Sequence, residues 1–321
     1  MAAAIVAAGP PDAPASDEVA THGDGPDARD TGPAEMAEEE DAEEAPTGAV
    51  ASAAAPSMVT HLVTLHLLRD GLLGVAVGGR PVADGNDGLA GQPRELLAYL
   101  ALQRGRPVPR DRILEALWPD NDPAKSISSF HKALHLLRKG LAAQAGLPPG
   151  LMIVTERQGE YLLAPEAVWV DALAFEEALD EAARAAQAGQ EDRHGALLRH
   201  ALDLYGGALL GDQVPDWAAE ERRRLHDRYL DAVRALSTWH EGHGDLASAL
   251  VLALRLADAD PLTEAYHRRV MRLQGQSGDH DAVQRRYALL CDILRTELRA
   301  SPSKLTQAVY ARSMEQEEAV S

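Results

Sequence analysis

The segment that follows Asp122-Pro123 has the most distinctive chemical pattern in the chain. It contains hydrogen-bond donors and cations but no carboxylate between Ala124 and Leu141, although the whole chain has 50 acids against 31 lysines and arginines. Donors of this kind read base edges in the DNA major groove, and cations contact phosphates. The pattern predicts a DNA-recognition helix, with an ordinary basic surface helix as the alternative. The residues concerned are Ser128, Ser129, Lys132, His135, Arg138 and Lys139.

The apolar residues of the same segment predict that it is helical. They recur at intervals of three and four residues, which is the period of a helix with one buried face. A helix about 10–12 Å across fits the major groove. The donors and cations fall opposite this apolar stripe. Its members are Ile127, Phe130, Leu134, Leu137 and Leu141.

Other elements must hold this helix in place. Two β-type runs precede it, a helix begins near Pro93, and a second helix follows Pro109 and ends near Trp118. Strands at 151–155 and 161–163 then flank a turn at 156–160, which puts Arg157 at a hairpin tip. A cation there suits a minor groove, where narrow walls concentrate negative potential. The region is therefore predicted to be α+β.

From Asp171 onward the pattern is helical, with breaks at glycines. Gly244-Asp245 recurs as Gly278-Asp279, an offset of 34 residues. That offset is the period of tetratricopeptide repeats, in which each repeat is a pair of antiparallel helices. The C-terminal half is therefore predicted to be an all-α, tetratricopeptide-like helical repeat domain, and the whole chain to be mainly α.

The formal charge of -19 is unevenly distributed. Residues 1–57 hold 13 acids and one base, residues 58–165 carry a net charge of +2, and residues 166–321 carry -9. The first segment has almost no large apolar side chain, so we predict a disordered acidic tail. It acts either as a solubiliser or as a competitor with DNA for the basic face. The total charge therefore does not exclude nucleic acid as a partner.

The sequence offers little support for an enzyme. It lacks a phosphate-binding P-loop, a Gly-x-Ser-x-Gly elbow and a His-Glu-x-x-His helix. Its single cysteine, Cys291, excludes an intrachain disulfide and has the sequence context of a small core residue. We expect no cofactor, no metal site and no membrane span, and we expect a cytoplasmic protein.

Several motifs, in order, resemble one known family. Residues 104–120 and 134–141 look like the winged-helix domain of the Streptomyces antibiotic regulatory protein (SARP) family. Residues 201–210 and 260–271 look like its bacterial transcriptional activator domain. The resemblance implies a winged helix-turn-helix domain at 58–165 and an activator domain at 166–321, after the tail at 1–57.

The resemblance also implies a sequence-specific transcriptional activator. Such a protein binds promoter repeats in double-stranded DNA as a homodimer and contacts RNA polymerase. Carried over by position, Ser128, Ser129, Lys132, His135 and Arg138 fall on the recognition helix, and Arg157 falls on the wing. We also expect Arg110, Arg112 and Arg138 to contact phosphates. Two positions depart from the family pattern, Leu136 on the helix and Glu160 on the wing.

Two other functions stay open at this stage. The chain could be a helical-repeat adaptor whose winged helix no longer binds DNA, which Leu136 and the net charge of only +2 favour. It could also be a sensor that holds a small molecule between repeats, although no convergent polar set identifies a ligand.

Overall fold

The computed structural model describes residues 62–69, 73–81, 90–145, 154–211 and 214–315. The acidic tail at 1–57 and residues 151–153 of the predicted hairpin strand lie outside the described residues. The strands are β1 (Val63–His66), β2 (Gly74–Val77), β3 (Arg80–Pro81), β4 (Val108–Pro109), β5 (Val154–Arg157), β6 (Glu160–Leu163) and β7 (Val168–Val170). The helices are α1 (Gln92–Leu102), α2 (Arg110–Leu117), α3 (Pro123–Ala145), α4 (Asp171–Gln187), α5 (Glu191–Leu204), α6 (Ala219–Gly242), α7 (Leu246–Ala259), α8 (Glu264–Gln276), α9 (His280–Ile293) and α10 (Lys304–Glu315).

The fold is an α+β winged helix-turn-helix domain followed by an all-α, tetratricopeptide-like domain, as predicted. Of the predicted inward residues of α3, all but Ile127 are buried, and Ile127 is half-buried. The second helix ends at Leu117 and is capped by Trp118, whose backbone N–H donates to the Leu114 carbonyl at 2.9 Å. Pro119 follows directly and cannot donate a further helical hydrogen bond.

Two small sheets frame the three helices of the winged domain. One has the order β3-β2-β1-β7 and the other the order β4-β6-β5. Strand β7 lies beyond the predicted boundary at 165/166, yet it pairs in parallel with β1, with Val63 opposite Val168. One buried apolar cluster accordingly extends from Val63 to Leu225. The winged helix and the start of the helical domain share a core.

The two copies of the 34-residue motif have the same local geometry. Gly244 and Gly278 have φ angles of 78° and 74°, the left-handed region that glycine adopts without strain. Asp245 and Asp279 then cap α7 and α9, each accepting a backbone N–H at 3.0 Å. The residues that keep this register, Ala249/Val283 and Leu256/Leu290, are all fully buried. These caps and buried positions bear out the repeat.

Cys291 departs from its expected environment. It lies on α9 and is half-buried rather than in the core. Helix α10 packs against α8 and α9, and the rings of Tyr287 and Tyr310 stack at 4.2 Å beside this region. Within the described residues, no helix has the length and apolar character needed to cross a membrane.

His267 on α8 is a fully buried titratable group. Its Nε2 lies 3.0 Å from the carbonyl oxygen of Pro261, so Nε2 carries the proton in the neutral ring. Its buried Nδ1 has no hydrogen-bond partner among the described residues. Burial lowers the pKa of His267 below its usual 6.5, and the Pro261 carbonyl only partly offsets that effect. A proton on Nδ1 would place an unpaired charge in the core.

We expect the chain to lose stability as the pH falls below about 6.5. The unfolded chain protonates His267 first, because the folded-state pKa is depressed, so the free energy of unfolding decreases between the two pKa values. A single histidine changes the free energy of unfolding by at most about 1.4 kcal/mol per pH unit. Thermal melting from pH 7.5 to 5.5 measures the effect.

The matched comparison for this prediction is His267→Gln against His200→Gln, since His200 is exposed on α5. His267→Gln should flatten the dependence of the melting temperature on pH, and His200→Gln should leave it unchanged. Equal slopes in the wild type and both variants would show that His267 does not titrate with unfolding.

Candidate nucleic-acid interface

The exposed side of α3 has one row of donors and cations. Ser128, Lys132, His135 and Lys139 are all exposed and recur at intervals of four, three and four residues, so they share one face. Lys125 is exposed one turn before Ser128 and extends the row. We call these five residues the α3 row. Helix α3 contains no Asp or Glu at any position.

The start of α3 is fixed by local hydrogen bonds. The Asp122 carboxylate accepts the Ala124 backbone N–H at 3.2 Å, and the Asp122 carbonyl accepts that of Ser126 at 2.9 Å. Pro123 occupies the first turn, where its missing N–H costs nothing. The buried Ser126 hydroxyl donates to the Asp122 carbonyl at 3.2 Å. These contacts fix the residue at which α3 begins.

Three aromatic rings hold the inward side of α3. Phe130 is fully buried and meets Tyr161 of β6 edge-on, with ring centroids 4.9 Å apart. Trp118, at the end of α2, contacts the same ring at 6.3 Å, again in a T-shaped arrangement. Edge-to-face pairs of this kind are worth about 0.5–1.5 kcal/mol beyond their buried area. The cluster thereby joins α2, α3 and the wing.

The other predicted residues of α3 lie at the borders of the row. Ser129 and Leu136 are half-buried on one side of it. Arg138 is half-buried on the other side, where its Nη2 donates to the Val154 carbonyl of β5 at 3.2 Å. Arg138 therefore ties the helix to the wing, a contact that the helical period alone does not predict.

The wing turn is tighter than predicted. Residues 156, 157 and 160 belong to strands, and the turn itself is Gln158-Gly159, with φ angles of 53° and 81°. Positive φ at both central residues is the type I′ turn, whose twist matches that of the flanking strands. Arg157 is exposed at the end of β5, directly opposite Glu160 in the strand register. A cation and an acid thus flank the tip.

The two predicted phosphate-contacting residues of α2 lie in different surroundings. The Arg110 backbone N–H donates to the Gly159 carbonyl at 3.1 Å, which brings the start of α2 beside the wing turn. Its side chain is half-buried, and its Nε lies 3.8 Å from the Asp111 carboxylate. Arg112 is exposed and lies near Tyr99 of α1. Burial raises the pKa of the Tyr99 phenol, and Arg112 opposes that shift.

The structure thus brings together the α3 row, Arg138 and the wing. Lys125 was not among the predicted site residues, although its spacing of three from Ser128 places it in phase with the row. The side chains present can donate hydrogen bonds and neutralise phosphate charge. On the described part of the chain, this face has the composition of a nucleic-acid surface.

Two known protein families match successive parts of the chain. Residues 88–163 match the family described as "Transcriptional regulatory protein, C terminal". Residues 170–312 match the "Bacterial transcriptional activator domain". The first match covers the three helices and the wing, and the second covers most of the helical domain.

Regulatory proteins are among the curated relatives. DnrI of Streptomyces peucetius is 27% identical over 223 residues, which is 68% of this chain and 82% of DnrI. AfsR of Streptomyces coelicolor is 28% identical over 256 residues, 79% of this chain but 25% of AfsR. EmbR of Mycobacterium tuberculosis is 31% identical over 145 residues, 44% of this chain and 36% of EmbR. The chain therefore spans a quarter of AfsR and about a third of EmbR.

A solved structure shares the fold. It is that of Mycobacterium tuberculosis EmbR in complex with a low affinity phosphopeptide, with a TM-score of 0.63 and 23% identity. The likeness covers 79% of this chain and 65% of the EmbR chain. This likeness shows the fold. The two successive domain matches and the relatives show that the chain belongs to the SARP family and is a transcriptional regulator of that type.

Proposed function

We propose that the chain is a sequence-specific DNA-binding transcriptional activator. Helix α3 enters the major groove, and the α3 row makes the base and phosphate contacts. The observation that carries this proposal is the row itself: five exposed donors and cations in phase on a helix without acids. An ordinary solvated face in a chain with 50 acids mixes both signs.

The charge of the winged domain supports the same function. Its net charge of +2 contrasts with -9 for residues 166–321. Each phosphate neutralised by a cation releases a counterion, which favours binding and makes it salt-dependent. With this small excess of cations we expect modest non-specific affinity, so that base contacts contribute much of the specific affinity.

The partners implied by the family belong to this proposal as well. We propose that the chain binds promoter repeats as a homodimer and contacts RNA polymerase through the helical domain. The match of residues 170–312 to the bacterial transcriptional activator domain supports this contact. If the chain captures RNA polymerase but shows no measurable DNA affinity at about 50–100 mM salt, the adaptor function is favoured instead.

The first experiment combines site selection from genomic DNA with a binding titration. We expect Lys132→Ala/His135→Ala to weaken binding to the selected site and to relax its sequence preference, because these two side chains lie at the centre of the α3 row. Each lost phosphate contact should also lower the slope of log K against log[salt] by about 0.9.

The matched control is Lys304→Ala/His200→Ala, which makes the same chemical change at exposed positions of the helical domain. It should bind as the wild type does. Unchanged affinity in the Lys132→Ala/His135→Ala variant would contradict the placement of α3 in the groove.

Arg138 and Lys139 should differ in kind although they are adjacent. Arg138→Ala removes the hydrogen bond to Val154, so it should lower the free energy of unfolding by about 1–2 kcal/mol as well as weaken DNA binding. Lys139→Ala should weaken binding and lower the salt slope while leaving the unfolding transition in place. Urea unfolding and salt titration of both variants distinguish the two roles. Equal stability of the two variants would show that Arg138 is not a structural tie.

A further inference from the structure

The helical domain holds helix α1 of the winged domain at both ends. Near its start, the Glu95 carboxylate accepts the indole N–H of Trp217 at 3.0 Å, and Tyr99 meets the same indole edge-on at 5.2 Å. Just past its end, Arg104 forms an ion pair with Glu176 of α4. Helix α1 packs in turn against α3. Helix α1, which supports α3, is therefore held in place by contacts with the helical domain.

Glu176 is the centre of this second contact. Its side chain is 4% exposed and is shared by three arginines. Arg224 and Arg228 of α6 donate to Oε1 at 2.6 and 2.8 Å, and Arg104 donates to Oε2. Burial alone would raise the pKa of Glu176, but the hydrogen bonds from Arg224 and Arg104 outweigh burial and lower it. The carboxylate is thus charged, and both of its oxygens are used.

Arg104 occupies a position where the chain changes direction. Its φ angle of 56° is left-handed, a conformation that non-glycine residues rarely adopt. The turn leads at once into β4, which pairs with β6 of the wing, and then into α2. A side chain anchored here fixes the end of α1 and the path toward both DNA-facing elements.

We propose that Glu176 is a positioning residue for DNA reading. Through Arg104 it fixes α1, and through α1 it fixes α3, so that the helical domain sets how the α3 row meets the groove. This inference rests on the proposed function. Glu176 contacts no DNA in this scheme and acts through the orientation of the winged helix.

The sign of the charge change makes the proposal testable. Glu176→Gln removes an acid, so electrostatics alone predicts tighter DNA binding. The positioning role instead predicts weaker binding to the selected site. Asp180→Asn provides the matched control, because Asp180 lies one turn further along α4 and also pairs with Arg228, at 2.5 Å. Among the described residues, the ion-pair partner of Asp180 lies on α6 and not in the winged domain.

The experiment measures specific and non-specific DNA affinity of the full chain. We expect Glu176→Gln to weaken specific binding about five- to tenfold, and Asp180→Asn to leave it unchanged or slightly tighter. Arg104→Gln should cause a loss similar to that of Glu176→Gln, with an unchanged salt slope because no phosphate contact is removed. The double variant, whose net charge equals that of the wild type, should lose no more than either single variant.

Arg104→Gln carries the test if Glu176→Gln fails to fold, because Arg104 is 44% exposed and the change leaves Glu176 paired with α6. Circular dichroism and thermal melting verify that each variant is folded. Wild-type specific affinity in folded Arg104→Gln, or equal losses in Glu176→Gln and Asp180→Asn, would overturn the proposal. A reduced salt slope in Arg104→Gln would instead make Arg104 a phosphate contact.

Hydrogen exchange tests the contact between Glu176 and Arg104 in the absence of DNA. The turn amides of Arg104 and Arg106 donate to carbonyls at 3.3 and 3.0 Å, so they report on the end of α1. Exchange across residues 100–110 should be faster in Arg104→Gln and Glu176→Gln than in Asp180→Asn. If the wild type selects no DNA sequence, the proposed function fails while this exchange pattern still decides whether Glu176 fixes α1. Equal exchange in all variants would show that the contact between Glu176 and Arg104 does not fix the end of α1.

Discussion

The buried ring of Phe130 is the constraint on which the winged helix depends. Aromatic residues make up 4% of the chain, and Phe130 is one of its two phenylalanines. Its edge-to-face contacts with Trp118 and Tyr161 hold α2, α3 and β6 against one another. Because successive helical residues turn by about 100°, fixing Phe130 inward also fixes Lys132 and His135 outward. The outward chemistry of α3 therefore follows from its inward packing.

Much of the candidate face could be predicted because it follows a helical period. The positions of Ser128, Lys132 and His135 follow from the apolar residues between them, which need no knowledge of the rest of the chain. The hydrogen bond of Arg138 could not be predicted, since its partner Val154 lies 16 residues away on another element. A period shows which way a side chain points. It does not show which atom it meets.

The same distinction applies to the two domains. The glycine and aspartate caps of the repeats are local, so an offset of 34 residues located them. The junction of the domains depends on non-local contacts: the Asp171 carboxylate accepts the backbone N–H groups of Leu67 and Leu68, at 2.7 and 3.0 Å, from more than 100 residues away. Burial raises the pKa of Asp171, and these N–H groups oppose that shift. No local pattern encodes such a pairing.

The overall charge of -19 matters less to α3 than its immediate surroundings. At physiological salt the Debye length is about 8 Å, so exposed acids farther away are largely screened. In the complex we propose, the charges nearest to a phosphate are those of the α3 row. With few cations available, little affinity can come from counterion release, and discrimination must come from donors held in register with base edges. A recognition helix of this kind gains more from a rigid support than from added charge. The core shared by the two domains and the ion pair between Glu176 and Arg104 provide such a support. For this reason the helical domain is part of the DNA-reading machinery we propose.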